Sequence, residues 1–303
     1  MSRDPLIFAG LASELTDYDA AGAVILPVPY ERTTSFGRGT AGGPEALLRA
    51  SYQVETWDDE LGFEPCDQGV ATLPPCDPAS EDLAQAIAEI ESEAGRHLEA
   101  GKFLVTLGGE HTVTLGPARA ARRGCADGGG GIGIVQFDAH ADLRDTYEGT
   151  PYSHACVMRR LVEDGWPAVA VGIRSLSAPE EQLIAAGKVA TIRGAELEGG
   201  AEDRFAELVE QLPERIYLTF DVDYFDPSLL PATGTPEPGG GSWYPTLRML
   251  RRLFESKRVV AADVVELAPI AGQPASDFTA AKLVMKLLGY HRSAAERRGG
   301  ASH

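Results

Sequence analysis

The chain has few cysteines, and none are spaced as a pair. Its 303 residues include four, Cys66, Cys76, Cys125 and Cys156, with no Cys-x-x-Cys motif among them. Scattered thiols argue against a disulfide framework and against a thiolate-rich zinc site, and they are typical of a reduced cytoplasmic protein. Cys156 stands two residues after His154, where it resembles a nucleophile, but a small buried thiol is the favoured interpretation.

Positive charge and long apolar runs are also scarce. The chain has 27 basic and 45 acidic residues, for a net charge of −18. This balance argues against nucleic acid and anionic membranes as partners, and it is compatible with a small cationic substrate. No run is long enough to span a membrane, and the start, Met-Ser-Arg-Asp-Pro, lacks the apolar core of a signal peptide. We therefore expect a cytoplasmic protein.

Short apolar runs alternate with helix-like segments along the chain. This alternation predicts an α/β fold in which helices cover both faces of a mostly parallel sheet, built as a single domain over residues 1–303. The predicted strands are 23–26, 103–107, 132–137, 169–173, 189–192 and 216–220. The predicted helices include 80–100, with Ser80 as N-cap and Gly101 as the stop, and 201–212, 244–256 and 277–290. Residues 293–303 are expected to be a frayed tail.

Ionisable side chains follow three of these runs. His111 comes after 103–107, Asp138, His140 and Asp142 after 132–137, and Asp221 and Asp223 after 216–220. In open α/β sheets, ligands bind just outside the carboxyl ends of the strands. Residues two apart in an extended segment also point to one face. We therefore expect these six side chains to meet at one place.

Four carboxylates brought close together repel one another unless cations or protons compensate them. Two imidazoles and four carboxylates, without a thiolate, suit Mn²⁺ and similar ions. Six ligands exceed what one catalytic ion takes, whereas two ions sharing carboxylates would use them all and activate water. The alternative is that each aspartate is an ordinary turn or capping residue, but six such residues at three strand ends make it the weaker interpretation.

These segments resemble the motifs of the ureohydrolase family, which comprises arginases, agmatinases and their relatives. Gly108-Gly109-Glu110-His111 resembles its Gly-Gly-Asp-His motif, and residues 138–142 resemble its Asp-Ala-His-x-Asp motif. Residues 219–227, Thr-Phe-Asp-Val-Asp-Tyr-Phe-Asp-Pro, resemble its Ser-Phe-Asp-x-Asp-x-x-Asp-Pro motif. The resemblance covers roughly residues 23–291 and implies a three-layer αβα arginase-like fold.

The resemblance also implies roles and two Mn²⁺ per chain. One ion would be held by His111, Asp138, Asp142 and Asp221, and the other by Asp138, His140, Asp221 and Asp223. His154 would be the proton shuttle, Asp142 would pass on a proton from the attacking water, and Glu266 would grip the guanidinium. Glu110, where the family has Asp, is expected to shift the orientation of the ligand His111 without abolishing binding.

The implied reaction is hydrolysis of a guanidino compound to urea and an amine. Agmatine, giving putrescine, is the first expectation, and N1-aminopropylagmatine and guanidinobutyrate are the alternatives. We expect Asp145 and Glu148 to receive a distal ammonium, or Arg144 a carboxylate, and the glycine-rich loop 34–43 to cover the mouth of the site. Ala155-Cys156 replaces the Gly-Thr of many relatives, which weakens any transfer of substrate specificity.

Two other classes of protein remain possible on the sequence. One is an arginase-fold deacetylase with a single metal ion, and the other is a non-catalytic metal-binding homologue. The complete set of six ligands argues against the first, and the presence of His154 and Glu266 argues against the second. Family resemblance further suggests a homo-oligomer, either a trimer or a hexamer.

Overall fold

A single sheet forms the middle of the molecule. The computed structural model describes residues 5–124 and 131–300, and within them eight strands pair side by side, every pair parallel. The strands are β1 (Ala23–Val28), β2 (Val70–Thr72), β3 (Phe103–Gly108), β4 (Ile132–Phe137), β5 (Ala168–Ile173), β6 (Ala190–Arg193), β7 (Arg215–Asp221) and β8 (Arg258–Val265). Their spatial order is β2-β1-β3-β8-β7-β4-β5-β6. Four of them, β1, β3, β4 and β5, are buried along their whole length, as expected of parallel strands covered on both faces.

Helices cover both faces of the sheet. They are α1 (Ser13–Thr16), α2 (Gly43–Ser51), α3 (Leu83–Glu99), α4 (Leu115–Arg123), α5 (Val157–Glu163), α6 (Ala178–Ala185), α7 (Gly194–Leu197), α8 (Glu202–Glu210), α9 (Trp243–Ser256) and α10 (Ala275–Gly300). Apolar side chains of α2, α8, α9 and α10 form one core and those of α3, α4 and α5 form the other. Along β1, Ala23 and Ile25 join the first core while Val24 and Leu26 join the second, because successive strand residues point to opposite faces. The predicted three-layer αβα fold is confirmed.

Six of the eight strands lie within two residues of their predicted bounds, but no bounds were predicted for β8 and β2 was not predicted at all. Its three residues are too few for an apolar pattern, and it forms an edge of the sheet by pairing with β1. The predicted cap of α3 is wrong. Asp82, and not Ser80, is the N-cap, because its Oδ1 accepts a hydrogen bond from Gln85 N at 2.8 Å. Gly101, with φ of 75°, follows the end of α3 as predicted.

The prediction of a frayed tail from residue 293 is wrong as far as residue 300, because α10 continues to Gly300. Ala294 is buried against the first core, and Arg297 donates to Glu255 Oε1 at 3.0 Å. Arg292 and Glu296 form an i,i+4 pair at 2.9 Å. A polar sequence is thus kept helical by contacts with α9 and within its own last turns. Residues 301–303 lie outside the described part of the chain.

The order of the strands positions the site. β3, β8, β7 and β4 are neighbours in the interior of the sheet, and the residues that follow them are the ones selected from the sequence. The pairs Phe137↔Phe220 and Asp221↔Val265 show that β4, β7 and β8 end nearly level. In the described segments, no helix combines the length and apolar character needed to cross a membrane.

Candidate active site

His111 begins a short 3-10 helix, His111–Thr114, directly after β3. The turn before it runs tightly against the loop that follows β1. Gly109 N donates to Val28 O and Glu110 N to Tyr30 O, both at 2.9 Å. A side chain at Gly109 would bring its Cβ within 2.1 Å of Tyr30 O, so only glycine fits. This close approach fixes the direction in which His111 leaves the strand.

The first group of predicted ligands surrounds His111. Its Nδ1 lies 2.9 Å from Asp142 Oδ2, 3.1 Å from Asp138 Oδ2 and 3.4 Å from Asp221 Oδ2. Although three carboxylate oxygens are so close, this buried nitrogen makes no hydrogen bond within the described structure. Ligand atoms that converge on a common centre, instead of on one another, are what a cation site requires.

The second group surrounds His140. Its Nδ1 lies 2.9 Å from Asp223 Oδ2 and 3.7 Å from Asp138 Oδ1. Asp138 thus presents one oxygen to each imidazole. The structure brings all six predicted ligands together as two adjoining groups, in which the ligand atoms of His111, Asp138 and Asp142, and of Asp138, His140 and Asp223, lie within 4.8 Å of one another.

The electrostatics of the cluster favour positive charge at its centre. The four aspartates are at most 5 % exposed. Burial, together with the charge of Asp138, raises the pKa of Asp142 to about 7. Burial and the charges of Asp223 and Asp138 also raise the pKa of Asp221 well above its ordinary value. Divalent ions would relieve this repulsion, so the donor set fits two such ions.

A chain of hydrogen bonds behind His111, not predicted from the sequence, fixes its orientation. His111 Nε2 lies 2.9 Å from Thr219 Oγ1, Thr219 Oγ1 donates to Asp263 Oδ1 at 2.7 Å, and Tyr217 OH donates to Asp263 Oδ2 at 2.6 Å. Because the Thr219 hydroxyl donates to Asp263, it accepts from Nε2–H. The Nδ1 lone pair is then free to face the carboxylates. Asp263 is a single aspartate within the apolar strand β8, and it is the feature of the sequence from which this chain of hydrogen bonds could have been predicted.

Glu266 follows β8, an interior strand, and reaches the same place. Its Oε1 accepts a hydrogen bond from His111 N at 2.6 Å. Burial raises its pKa well above the ordinary value. Glu266 has φ of 65° and Asp142 has φ of 51°, a left-handed conformation that is rare for residues other than glycine and clusters at functional sites.

His154 also lies beside the site, held by a loop that sequence reasoning did not connect to it. His154 N donates to Thr33 Oγ1 at 3.0 Å, and His154 Nδ1 lies 3.2 Å from the same oxygen. Thr33 Oγ1 donates in turn to Glu110 Oε1 at 2.9 Å. Burial, with the nearby charges of His111 and His140, lowers the pKa of His154 to about 4.

The Glu110 carboxylate accepts hydrogen bonds from the segment before the glycine-rich loop, and among the described residues none comes from the side chain of His111. The expected effect of Glu110 on the orientation of His111 stays a prediction. Glu110 Oε2 accepts hydrogen bonds from Thr33 N at 2.6 Å and from Arg32 N at 2.8 Å. The residue therefore anchors the start of the mouth loop, by which we mean residues 32–43, the glycine-rich loop with the two residues before it. Its full burial explains why the longer side chain is tolerated: each oxygen has a donor on that loop.

A cavity of about 270 Å³ opens onto the cluster. Thr34, Ser35, Phe36 and Gly37 line it, so the glycine-rich loop does border the mouth as predicted. The wall further includes Arg144, Tyr147 and Glu237, the last of which sequence reasoning missed.

The predicted substrate contacts Asp145 and Glu148 are not on this wall. Asp145 is 69 % exposed and its Oδ1 accepts from Arg160 Nη2 at 2.9 Å. Glu148 lies in the turn between Tyr147 and Thr150. The role of both residues as substrate contacts stays a prediction, which the lining of this cavity does not support.

The three cysteines in the described part of the chain take no part in the site. Cys156 is fully buried, and burial raises the pKa of its thiol to about 11, so it is a protonated thiol at neutral pH. Cys66 and Cys76 are also free thiols, while Cys125 lies outside the described residues. The interpretation of Cys156 as a small buried thiol is confirmed.

Comparisons with known proteins agree with this arrangement. The family model described as Arginase family matches residues 21–289. The chain is 41% identical over 281 residues to an N(1)-aminopropylagmatine ureohydrolase of Synechocystis sp., covering 91% of each chain. It is 39% identical to a protein of the same name from Thermus thermophilus, covering 90% of this chain and 92% of the relative. The crystal structure of an agmatine ureohydrolase of Thermoplasma volcanium superposes with a TM-score of 0.85 at 29% identity, covering 98% of this chain and 97% of that one.

Proposed function

Because this chain belongs to the arginase family, we propose that it hydrolyses a guanidino compound to urea and an amine at the cluster of histidines and aspartates. The observation that carries the proposal is the meeting of six ligand side chains in two adjoining groups, beside Glu266 and an open cavity. In the first group, three carboxylates surround the buried, unpaired Nδ1 of His111. The substrate class is agmatine and its N1-aminopropyl derivative. The names of the Synechocystis, Thermus and Thermoplasma relatives support that class. Guanidinobutyrate is the third candidate.

Two Mn²⁺ ions per chain would be held by these residues. His111, Asp138, Asp142 and Asp221 would take one, and Asp138, His140, Asp221 and Asp223 the other, so that Asp138 and Asp221 are shared. That Asp138 would contribute to both sites is supported by its two oxygens, which face different imidazoles. When bound, such ions supply Lewis acidity that makes water nucleophilic near neutral pH.

The protein's own residues would orient the substrate and move protons. Glu266 would accept hydrogen bonds from the planar guanidinium and hold its carbon over the cluster. Asp142 would accept the proton that the attacking water loses. His154, with Nδ1 turned toward Thr33, would use Nε2 to pass a proton to the leaving amine or to solvent. Its lowered pKa keeps this nitrogen unprotonated at neutral pH, ready to accept.

Two further features belong to the same proposal. A cytoplasmic location and assembly as a trimer or hexamer stay predictions, the latter checked by light scattering. The deacetylase alternative requires one ion per chain, whereas the two adjoining ligand groups favour two. The non-catalytic alternative leaves the presence of Glu266 and His154 beside the cluster without an explanation.

The proposal is tested by measuring urea after the protein is loaded with Mn²⁺. The substrates are agmatine, N1-aminopropylagmatine, guanidinobutyrate, arginine and free guanidine. We expect release from the amine-bearing guanidines and two ions per chain by elemental analysis. Asp138→Asn and Asp223→Asn should lose bound metal and activity together, whereas Asp164→Asn, at an exposed ion pair with Arg119, should lose neither.

Full turnover by Asp138→Asn or Asp223→Asn would overturn the assignment of the centre. Failure of the loaded wild type to release urea from every guanidine in the panel would overturn the proposed function.

A further inference from the structure

Three charged side chains line the cavity without belonging to the metal cluster or to the proposed catalytic groups: Glu180, Arg144 and Glu237. The carboxylate of Glu180 is already engaged, because it accepts from Leu143 N at 2.9 Å and from Ser177 N at 2.7 Å. Arg144 lies over the ring of Tyr147, 5.0 Å from its centroid. Throughout residues 5–124 and 131–300, by contrast, no side chain or backbone N–H is paired with the Glu237 carboxylate.

Hydrogen bonds join the backbone of Glu237 to the segment after β7 that contains Asp223. Arg174 Nη2 donates to Glu237 O at 2.8 Å and also to Asp223 O at 2.7 Å. The same guanidinium donates through Nε to Pro238 O at 3.1 Å. One nitrogen therefore joins the residue that carries the free carboxylate to a predicted ligand of the second ion.

Two more contacts hold the same loop in place. Asp226 Oδ2 accepts from Gly239 N at 2.8 Å. Gly37 N donates to Gly234 O at 3.2 Å, and a Cβ at Gly37 would lie 2.6 Å from that oxygen, so the mouth loop packs directly on this segment. These contacts hold the backbone of Glu237 in place before a substrate binds. Binding at Glu237 therefore carries no entropy cost for ordering this loop.

We propose that Glu237 receives the distal ammonium of the substrate and thereby selects guanidines that carry an amine. This inference rests on the proposed function. A carboxylate on the cavity wall with no partner of its own gains a charge-assisted hydrogen bond when an ammonium arrives. A substrate that ends in a carboxylate would be repelled by Glu237. The Arg144 guanidinium, which stacks on Tyr147 but keeps its N–H donors, would have to outweigh that repulsion to bind it. Glu237 therefore takes the role that the sequence had assigned to Asp145 and Glu148.

The test compares wild type, Glu237→Gln and Glu148→Gln after loading with Mn²⁺. The substrates are agmatine, butylguanidine, which has the same carbon chain but no amine, and guanidinobutyrate. Glu148→Gln is the matched control, because it removes one acidic charge from the loop near the mouth but not from the cavity wall. Metal content and circular dichroism establish that each variant is folded and loaded.

In Glu237→Gln we expect KM for agmatine to rise about 10–100-fold, the effect of losing a hydrogen bond between charged groups, with a much smaller change in kcat. The ratio of kcat/KM for agmatine to that for butylguanidine should fall by a similar factor, and relative activity on guanidinobutyrate should rise. Glu148→Gln should keep the wild-type ratio. Glu237→Asp, which retains the charge on a shorter side chain, should keep part of the preference.

Several results would overturn the assignment of Glu237. These are an unchanged agmatine-to-butylguanidine ratio in Glu237→Gln, an equal loss in Glu148→Gln, and a wild type that prefers guanidinobutyrate. Each of them leaves the proposed hydrolysis of guanidines standing. If the wild type releases no urea from any of the three substrates, the proposed function fails, and the role of Glu237 fails with it.

Discussion

Asp142 combines two unfavourable features at one residue. Its carboxylate is buried among other carboxylates, and its φ of 51° lies in a region that costs residues other than glycine about 1–3 kcal/mol. Both features oppose folding, but in this conformation Asp142 Oδ2 lies 2.9 Å from His111 Nδ1. The residue therefore trades stability for the geometry of the site.

This trade predicts a difference between two substitutions at the same position. Asp142→Gly and Asp142→Ala both remove the carboxylate, but only glycine adopts a positive φ without strain. In the presence of a chelator, Asp142→Gly should be more stable than Asp142→Ala by about 1 kcal/mol. Urea unfolding measures the difference, and elemental analysis should find less bound metal in both variants than in wild type. An alanine variant as stable as the glycine variant would contradict the strain at this residue.

Single residues also show how far the sequence predicts the site. The ligands follow directly from the ends of apolar runs, because the parallel sheet brings those ends together. Glu237 could not be found this way, since its place depends on Arg174 joining two loops far apart in sequence. The position of the Asp145 side chain could not be found this way either, because its carboxylate pairs with Arg160 on α5.

Among the elements, α3 illustrates what local sequence leaves undecided. Ser80 and Asp82 are both capping residue types, and the apolar spacing of the helix is compatible with a start after either. The structure selects Asp82, while Ser80 Oγ accepts a hydrogen bond from Asp82 N at 3.2 Å and caps no helix N–H among the described residues. The strands were easier to predict, because their apolar runs are short and bounded. The exception, β2, is a strand only by virtue of its neighbour β1.

Removing the cap should therefore have a specific cost. Asp82→Ala leaves Gln85 N without its acceptor and should lower the free energy of unfolding by about 1 kcal/mol. Ser80→Ala is the matched control and should change it by much less. Chemical denaturation of the two variants side by side measures the contrast. A larger effect at Ser80 would show that the helix begins earlier than the structure places it.

For the whole molecule, the metal cluster couples stability to pH. Burial opposes the charge of His140, but Asp223 and Asp138 outweigh it and raise its pKa to about 12. Without metal, the folded protein then holds a proton that the unfolded chain releases near pH 6.5. The stabilisation from this proton is fully present below pH 6.5 and is lost as the pH rises toward 12.

Metal reverses the sign of this dependence. Bound ions require neutral imidazoles, so they displace the protons and bind more tightly as the pH rises. We expect the increase in Tm caused by Mn²⁺ to be larger at pH 8 than at pH 6, as measured by calorimetry with and without chelator. Asp223→Asn, which removes the main charge facing His140, should reduce the pH dependence of the metal-free protein. An increase in Tm that is the same at both pH values would contradict the coupling.

The Thr33 hydroxyl connects the loop at the mouth of the cavity to His154, the proposed proton shuttle. It belongs to the segment that Glu110 ties down, and it is also the partner of His154. If this segment moved outward, His154 would lose the hydroxyl group that holds its Nδ1. The proton transfer proposed for His154 therefore requires residues 32–33 in the position seen here.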